Sequence, residues 1–379
     1  MTDFILTNAR LVLPDAVLDG SLHVRDGRIV DISPGRSALP GAIDLDGDYL
    51  IPGVVDVHTD NLERQVQPRT SARWPSRSAM VAHDAQCTAA GVTTVLDALC
   101  LGDLGFDKER IKTFKDAVVD LDALVETGML KSDHFLHLRC ELPAHDMLEL
   151  FEPVAEHKLV RMISLMDHSP GVGQYANLDA YRTMRAREGM APDKVEARII
   201  LLLEQRARRR DPNRAALLAI ATGLDVTLAS HDDRTKEEIA ENYADGIRIS
   251  EFPVTLEAAE AARALGMQSI AGAPNIVRGG SHSGNIRAAD LIRAGVVDAL
   301  ASDYVPAALV EAAFLAVGQT GITLPQAVAL VTDTPARMAR LPDRGRLEAG
   351  LRADLVRVRV VHDVLPIVRQ VWRGGERVA

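Results

Sequence analysis

Between about Pro52 and Leu341, short apolar runs alternate with segments of helical periodicity. This alternation is typical of parallel strands that are buried on both faces and joined by crossover helices. Amphipathic spacing predicts helices within residues 107–127, 194–210 and 256–265, among others. The eight predicted strands are VVDVHTD, VTTVLDAL, HFLHLRCEL, LVRMISLMDH, VTLASHDD, IRISEF, QSIAGAPN and VDALASDY. Their number predicts an α/β fold with a (β/α)8 TIM-like barrel.

The two ends of the chain resemble each other and differ from the middle. Residues 3–50 have the pattern of short strands joined by tight turns, and Asp26-Gly27 is a strong hairpin signal. The last forty residues, which end with a second hairpin-like glycine pair, repeat this pattern. We therefore predict that residues 1–51 and 343–379 form one small β-domain and that residues 52–342 form the barrel inserted between them.

Composition restricts the class of protein. The 379 residues are 47% hydrophobic, enough for one large core and a smaller accessory unit. No apolar run approaches the roughly 20 residues of a membrane span, and the start lacks the pattern of a signal peptide. We therefore expect a cytoplasmic protein with no membrane partner. The net charge of −10 argues against a nucleic-acid partner but permits an anionic small substrate held by local positive charge.

The first predicted barrel strand ends in His58-Thr59-Asp60. Side chains two residues apart on a strand share a face, so His58 and Asp60 would project together from its carboxyl end. That end of a barrel strand is where enzymes of this fold carry their active sites. The pair is therefore a candidate for two ligands of one metal ion. Taken alone, this motif could instead be an ordinary His-Asp pair where a strand passes into a loop.

Other ligand-type residues also follow apolar runs directly: Glu141, His168, His231 and Asp303. At the carboxyl ends of barrel strands, all of them would meet at one rim. A mixed set of nitrogen and oxygen ligands suits zinc, manganese or iron(II). The set therefore predicts a metal centre, although any single member could instead be a satisfied polar residue near the barrel mouth.

Two regions are candidates for substrate binding. The loop NIVRGGSHSGN places Arg278 and His282 beside two glycines, whose backbone N–H groups can approach phosphate oxygens. We predict that this loop is a phosphate clamp, with a plain surface loop as the alternative. Arg139 would share a strand face with Glu141 and could point into the same mouth or only neutralise buried carboxylates. The full set of candidate substrate contacts is Asn61, Arg64, Arg139, Gln174, Lys236, Arg278, Ser281, His282 and Asn285.

The split β-domain, the barrel and the ligand series resemble the amidohydrolase superfamily. Within it, PGVVDVHTDNLER, HLRCEL, MDHSPGVGQY, ASHDD, GAPNIVRGGSHSGN and ASDY resemble the triphosphate diphosphatases of the carbon-phosphorus lyase pathway. The chain departs from the commoner superfamily pattern at Asp60, where a second histidine is usual, and at Glu141, where a carboxylated lysine often bridges two metals. On our strand count the histidine ligands also come one strand early.

The resemblance implies a metal-dependent hydrolase that splits a methylphosphonate-bearing ribose 5-triphosphate between its α and β phosphates. It implies two divalent ions, with zinc as the first expectation and iron(II) or manganese as alternatives. We assign His58, Asp60 and Asp303 to one ion and His168 and His231 to the second. Glu141 would bridge the two ions. Asp303 would also act as the general base.

Two other functions stay open at this point. Fold analogy supports an amidohydrolase that acts on a cyclic amide or an N-acyl substrate. A noncatalytic scaffold is the second alternative, and it would bind no metal. We expect a small phosphorylated ribose as the binding partner and a homodimer, because two-fold dimers are the commonest closed assemblies. The basic run 206–210 is interpreted as the solvated end of a helix, with contact to another phosphonate-pathway protein as the alternative.

Overall fold

The structure is a computed structural model that describes residues 3–69, 72–102, 104, 108–281 and 284–379. Two sheets organise these residues, one built from the two ends of the chain and one from the middle. Within the described ranges, no helix is both long enough and apolar enough to cross a membrane.

Strands from both ends of the chain form the first sheet. They are β1 (Asp3–Val12), β2 (Val17–Arg25), β3 (Arg28–Pro34), β4 (Ile43–Asp44), β5 (Tyr49–Pro52), β14 (Leu355–Val361), β15 (Leu365–Arg373) and β16 (Glu376–Arg377). Their order is β16-β15-β14-β5-β1-β2-β3, with β4 paired to β1. The antiparallel pairing of β14 with β5 joins the two ends of the chain. The predicted split β-domain is confirmed, whereas its residue boundaries stay a prediction.

The predicted hairpin at Asp26-Gly27 is also confirmed. Arg25 pairs with Arg28, which leaves a two-residue loop between β2 and β3. Asp26 and Gly27 have φ values of 48° and 76°. Left-handed backbone at both central residues is what a type I′ turn requires, and this turn matches the twist of the strands that it joins.

The second sheet is parallel, and each of its strands lies beside its neighbour in the chain. In the described chain its strands are β6 (Val54–Thr59), β7 (Val92–Leu101), β8 (Asp133–Glu141), β9 (Val160–Met166), β10 (Thr227–His231), β11 (Ile249–Glu251), β12 (Gln268–Gly272) and β13 (Ala299–Ala301). Each of the eight predicted strands is confirmed. The sheet closes where Thr59, at the end of β6, bridges Asp303, just after β13. The backbone N–H of Asp303 donates to His58 O at 3.0 Å and that of Asp60 to Asp303 O at 2.7 Å.

Helices follow most of the barrel strands. They are α1 (Asn61–Val66), α2 (Ser76–Ala89), α3 (Lys108–Val125), α4 (Met147–Phe151), α5 (Leu178–Arg187), α6 (Pro192–Ala221), α7 (Lys236–Ala244), α8 (Leu256–Ala264), α9 (Ala273–Arg278), α10 (Ala288–Arg293), α11 (Ala308–Thr320), α12 (Leu324–Ala329) and α13 (Asp333–Met338). The three predicted helical stretches correspond to α3, α6 and α8. The helix α6 is longer than predicted because it continues through Pro212 to Ala221.

Apolar side chains hold the barrel from both sides. Val55, Val57, Leu96, Met162 and Ile249 belong to a buried cluster that includes residues of seven barrel strands. A larger cluster packs strands such as β8 and β9 against the surrounding helices. Because both faces of the strands are packed, their carboxyl ends are held in fixed positions.

The chain passes from the terminal sheet to the barrel at Gly53. The backbone N–H of Gly53 donates to Asp354 O at 2.7 Å. A Cβ added at Gly53 would overlap Thr93 Oγ1 and lie 2.7 Å from Asp354 Cβ. The two sheets therefore approach each other so closely here that only glycine fits.

We expect Gly53→Ala to lower the free energy of unfolding by about 1–3 kcal/mol, because the packed junction must move to admit a methyl group. Urea denaturation of the two proteins measures the difference. Gly318→Ala in α11 is the matched control, since nothing lies within 4 Å of its added Cβ. This control should be neutral or stabilising by up to about 1 kcal/mol. Equal stabilities of the two variants would contradict the close approach at Gly53.

Candidate metal centre

One cavity of about 530 Å³ lies at the carboxyl ends of the barrel strands. All of the ligands predicted from the sequence line it: His58, Asp60, Glu141, His168, His231 and Asp303. They come from the ends of β6, β8, β9, β10 and β13, or from the residues just beyond them. The structure therefore brings together residues that are up to 245 positions apart in the sequence.

The first group of ligand atoms comes from His58, Asp60 and Asp303, which lie within 4.8 Å of one another. His58 Nε2 is 3.5 Å from Asp60 Oδ1. His58 lies in β6, and Asp60 is the residue directly after this strand, at the N-cap of α1. The two side chains project together, as predicted. Asp303 joins them through barrel closure, and its backbone is left-handed with a φ of 57°.

The second group contains His168, His231 and a residue that the sequence analysis did not assign, Asp232. Asp232 Oδ2 lies 3.7 Å from His168 Nε2 and 3.9 Å from His231 Nε2. Asp232 follows β10 with a φ of 57°, a conformation that aspartate tolerates better than most residues. In the sequence, Asp232 could have been found from its position directly after His231, a predicted ligand, in the string ASHDD.

Glu141 lies beside the second group and contacts one of its members. Its carboxylate accepts a hydrogen bond from the backbone N–H of His168 at 2.8 Å and lies 2.6 Å from His168 Nδ1. Burial alone would raise the pKa of Glu141. The charge of His168 outweighs burial and keeps this pKa below its ordinary value. Glu141 thus orients His168, and its bridging role between two ions stays a prediction.

Two carboxylate oxygens show how well these residues fit metal ions. Asp60 Oδ1 and Asp232 Oδ2 are both buried, and neither has a hydrogen-bond partner among the described residues. A buried carboxylate oxygen without a partner is costly. One such oxygen belongs to each group, and each lies near imidazole nitrogens. The donors therefore fit two divalent cations of the kind that accept mixed nitrogen and oxygen ligands.

Glu251 connects the two groups. This residue at the end of β11 is fully buried, and its two oxygens lie 2.6 Å from His58 Nδ1 and 2.9 Å from His231 Nδ1. Ser164 Oγ donates a third hydrogen bond at 2.9 Å. A carboxylate that binds Nδ1 fixes the ring and leaves Nε2 for a metal. The sequence analysis missed Glu251, although it ends an apolar run as the assigned ligands do.

The electrostatics of the first group follow from these contacts. Burial disfavours the charged imidazole of His58, but the charge of Glu251 outweighs burial and raises the pKa of His58 to about 10. Burial and the neighbouring charge of Asp60 raise the pKa of Asp303 to about 7. Against the effect of burial, Arg139 lowers the pKa of Asp60, to which it donates at 3.1 Å. The pKa of Asp60 is therefore lowered and the pKa of Asp303 is raised, although the two carboxylates are neighbours.

A buried hydrogen-bond network lies behind this rim. Asn61 Nδ2 is 2.9 Å from His83 Nδ1, and His83 Nε2 is 2.7 Å from Asp97. Asp97 is in turn 2.9 Å from His134 Nδ1, and His134 Nε2 is 3.3 Å from Asp84. His83, Asp97 and His134 are close enough to hold an ion, but their hydrogen bonds already account for the cluster. The network fixes the turn that follows the ligand pair of β6.

Five of the predicted substrate contacts line the cavity: Arg139, Gln174, Arg278, Ser281 and Asn285. His282 lies outside the described residues. Arg110, Tyr175 and Arg185 also line the cavity. These three were not assigned from the sequence.

Three other predicted contacts are not among the described residues that line the cavity. Asn61 belongs to the buried network. Arg64 Nη1 donates to Tyr304 O at 2.9 Å. Lys236 begins α7, and its side chain is 69% exposed. Their role in substrate binding stays a prediction that this placement does not favour.

Comparison with known proteins agrees with the architecture. A family model described as "Amidohydrolase family" matches residues 86–379. The alpha-D-ribose 1-methylphosphonate 5-triphosphate diphosphatase of Escherichia coli strain K12 is 44% identical over 377 residues, which are 99% of this chain and 100% of that protein. A D-hydantoinase from Rhizobium radiobacter is 29% identical over 150 residues, 40% of this chain and 30% of that protein.

Solved structures share the fold at low sequence identity. An N-acetyl-D-glucosamine-6-phosphate deacetylase variant from Mycobacterium smegmatis aligns over 100% of both chains with a TM-score of 0.64 and 17% identity. A molinate hydrolase aligns over 99% of this chain and 94% of its own, with a TM-score of 0.66 and 13% identity. These likenesses support the barrel with its small β-domain and carry no further information on chemistry.

We expect Glu251→Gln to weaken divalent metal binding about 10–100-fold at both groups, because one carboxylate orients a histidine of each. Titration with Co²⁺, followed by visible absorption and by metal content after gel filtration, measures the affinities. Glu348→Gln is the matched control, since that carboxylate is 54% exposed and pairs with Arg346 outside the barrel. Unchanged affinities would show that Glu251 does not hold the two histidines.

The buried network predicts a pH-dependent stability. Burial opposes protonation of His134, but the charge of Asp97 raises its pKa from 6.5 to about 10. The bound proton therefore stabilises the fold fully below pH 6.5, and this contribution is lost as the pH rises towards 10.

We expect His134→Gln to destabilise the protein by about 3 kcal/mol near pH 6 and by less near pH 9. Urea unfolding of both proteins at each pH tests this. His145→Gln, at a side chain that is 60% exposed, serves as the control and should cost little at either pH. A loss that grows with pH would contradict the charged state assigned to His134.

Proposed function

The chain belongs to the amidohydrolase family, and from this membership we propose that it is a metal-dependent diphosphatase acting on alpha-D-ribose 1-methylphosphonate 5-triphosphate. The main support for this proposal is the match to the Escherichia coli diphosphatase of that name, which spans 99% of this chain and 100% of the relative. The hydantoinase match covers only 40% of this chain. The diphosphatase function is therefore favoured over hydrolysis of a cyclic amide or an N-acyl substrate.

The reaction consumes one water and divides the triphosphate. Water attacks the α-phosphorus, the bond from that phosphorus to the bridging oxygen of the β-phosphate breaks, and pyrophosphate leaves. The other product is 5-phosphoribosyl 1-methylphosphonate. This product would be used in phosphonate catabolism by the carbon-phosphorus lyase pathway.

Two groups of residues would hold divalent ions. His58, Asp60 and Asp303 form one, and the histidines of the second group with Asp232 form the other. When bound, such ions supply positive charge that acidifies water and offsets the charge of the attacked phosphoryl group. The orphaned oxygens of Asp60 and Asp232 support this assignment. Zinc is our first expectation, with iron(II) and manganese as alternatives.

Asp303 is our candidate for the general base. Its carboxylate lies at the rim beside Asp60, among the candidate metal ligands. A carboxylate in this position can take the proton from an attacking water. Arg139 pairs with Asp60, which keeps that neighbouring carboxylate ionised. Asp303 can then be the member of the pair that moves the proton.

Cationic side chains in the cavity fit a highly anionic substrate. Arg110 and Arg185 are partly balanced by Glu63 and Glu188, with which they pair at 3.0 Å and 2.8 Å. Arg278 lies at the end of α9, next to a cavity wall that includes Gly280, Ser281 and Asn285. We assign the triphosphate to this wall, because backbone N–H groups and a guanidinium can bind several phosphate oxygens together.

Phosphorus NMR of the metal-loaded protein with this substrate in oxygen-18 water tests the reaction. We expect unlabelled pyrophosphate together with a labelled 5-phosphate. Label in pyrophosphate would move the attack to the β-phosphorus. Absence of turnover, combined with hydrolysis of a hydantoin, would favour the amidohydrolase alternative.

The role of the general base is tested in the same assay. Asp303→Asn should lower kcat by about 10²–10⁴-fold, because the amide cannot accept the proton. Asp225→Asn, at a side chain that is 91% exposed, is the control and should leave the rate unchanged. Metal content is measured for both variants, so that loss of a ligand is distinguished from loss of a base. A metal-loaded Asp303→Asn protein with the original kcat would refute the assignment.

A further inference from the structure

The helix α6 carries two neighbouring aliphatic side chains that nothing in the described chain covers. Ile200 and Leu201 are 59% and 54% exposed. The opposite face of the same helix is buried, with Val195 and Ile199 packed in a cluster that includes Tyr181 of α5. A surface helix normally presents polar residues to water, so adjacent exposed aliphatic side chains indicate an interaction surface.

Charged residues flank this apolar centre in a particular order. At 3.6 residues per turn, Asp193, Ile200, Glu204 and Arg208 lie on one face of α6. Asp193 comes seven residues before Ile200, and Arg208 comes seven residues after Leu201. The acidic and basic ends of the face are therefore equally far from its apolar centre.

We propose that a second copy of this chain packs on this face, with the two α6 helices antiparallel about a two-fold axis between Ile200 and Leu201. Asp193 of each copy then lies opposite Arg208 of the other, and Lys194 lies within reach of Glu204. The aliphatic side chains of the two copies meet at the axis. A two-fold interface must be self-complementary, and this face meets that condition.

The charges argue against an anionic partner in place of a second copy. The basic run 206–210 is largely neutralised within the chain, because Arg206 pairs with Asp167 and Arg210 with Glu241. Arg208 is 77% exposed, and its guanidinium lies 3.6 Å from Glu204, one turn earlier on the same face. A polyanion would also meet Asp193 and Glu204 on this face. The alternation of charge thus fits a copy of the same helix.

The size of the contact sets its expected strength. Residues 193–208 extend over about 24 Å of helix, which is short for a stable interface of about 800 Å² per partner. We therefore expect a dimer that dissociates in the micromolar range and whose mass depends on concentration.

Light scattering coupled to gel filtration of the full-length protein tests the proposal. The mass should rise with concentration from 41.0 kDa towards twice that value. Leu201→Glu should keep the protein monomeric, because it places two like charges at the axis. Val364→Glu, at a side chain that is 66% exposed in the β-domain, is the matched control and should still dimerise. A wild-type protein that stays monomeric, or a Leu201→Glu protein that still dimerises, would overturn the proposal.

Charge reversal tests the antiparallel register. Asp193→Arg and Arg208→Asp should each weaken self-association about 10-fold or more, because each turns two attractive pairs into repulsive ones. An equimolar mixture of the two variants should recover the association, since each mixed pair restores both contacts. Circular dichroism confirms that the variants are folded. Monomeric variants that do not recover on mixing would refute this arrangement of the helices.

Discussion

The closure of the barrel between β6 and β13 is the constraint on which the site depends. Two backbone hydrogen bonds join His58 and Asp60 to Asp303, at 3.0 Å and 2.7 Å. The same residues supply the first group of ligand atoms. Because the first and last strands of the barrel meet here, a change that opened the sheet would also separate the metal ligands. At this position, the contacts that close the barrel therefore also assemble the site.

The rim concentrates charge that water would otherwise solvate. Glu251 is fully buried between two imidazoles, and Arg139 is buried beside Asp60. The strand ends also hold strained backbone, because Asp232 and Phe252 have left-handed φ values of 57° and 55°. Such conformations persist where the surrounding structure enforces them, and they are frequent at functional sites. Buried charge and local strain together indicate that this rim is organised for binding and chemistry.

Similarity of fold and similarity of sequence support different conclusions about this chain. The deacetylase with a TM-score of 0.64 is only 17% identical, so it supports the architecture alone. The diphosphatase relative is 44% identical along the whole chain. The strings around Asp60 and Glu141 had already separated the chain from the commoner pattern of its superfamily. The match along the whole chain therefore supports the function, and the barrel explains why the rim residues can meet.

The sequence by itself determined the eight strands and the split β-domain, because apolar periodicity and turn residues act over a few neighbouring positions. Several predicted strands ran too far, as at β12 and β13, which end at Gly272 and Ala301. It also indicated that six ligand-type residues would meet at one rim, although it missed Asp232 and Glu251. Only the tertiary structure decided that Asp232 joins the two histidines of the second group, that Glu251 orients one histidine of each group, and that Asn61 turns to His83. Spacing along a chain says which residues reach a rim, whereas the pairing of donor and acceptor atoms depends on strand stagger, barrel closure and burial, which are properties of the whole packed fold.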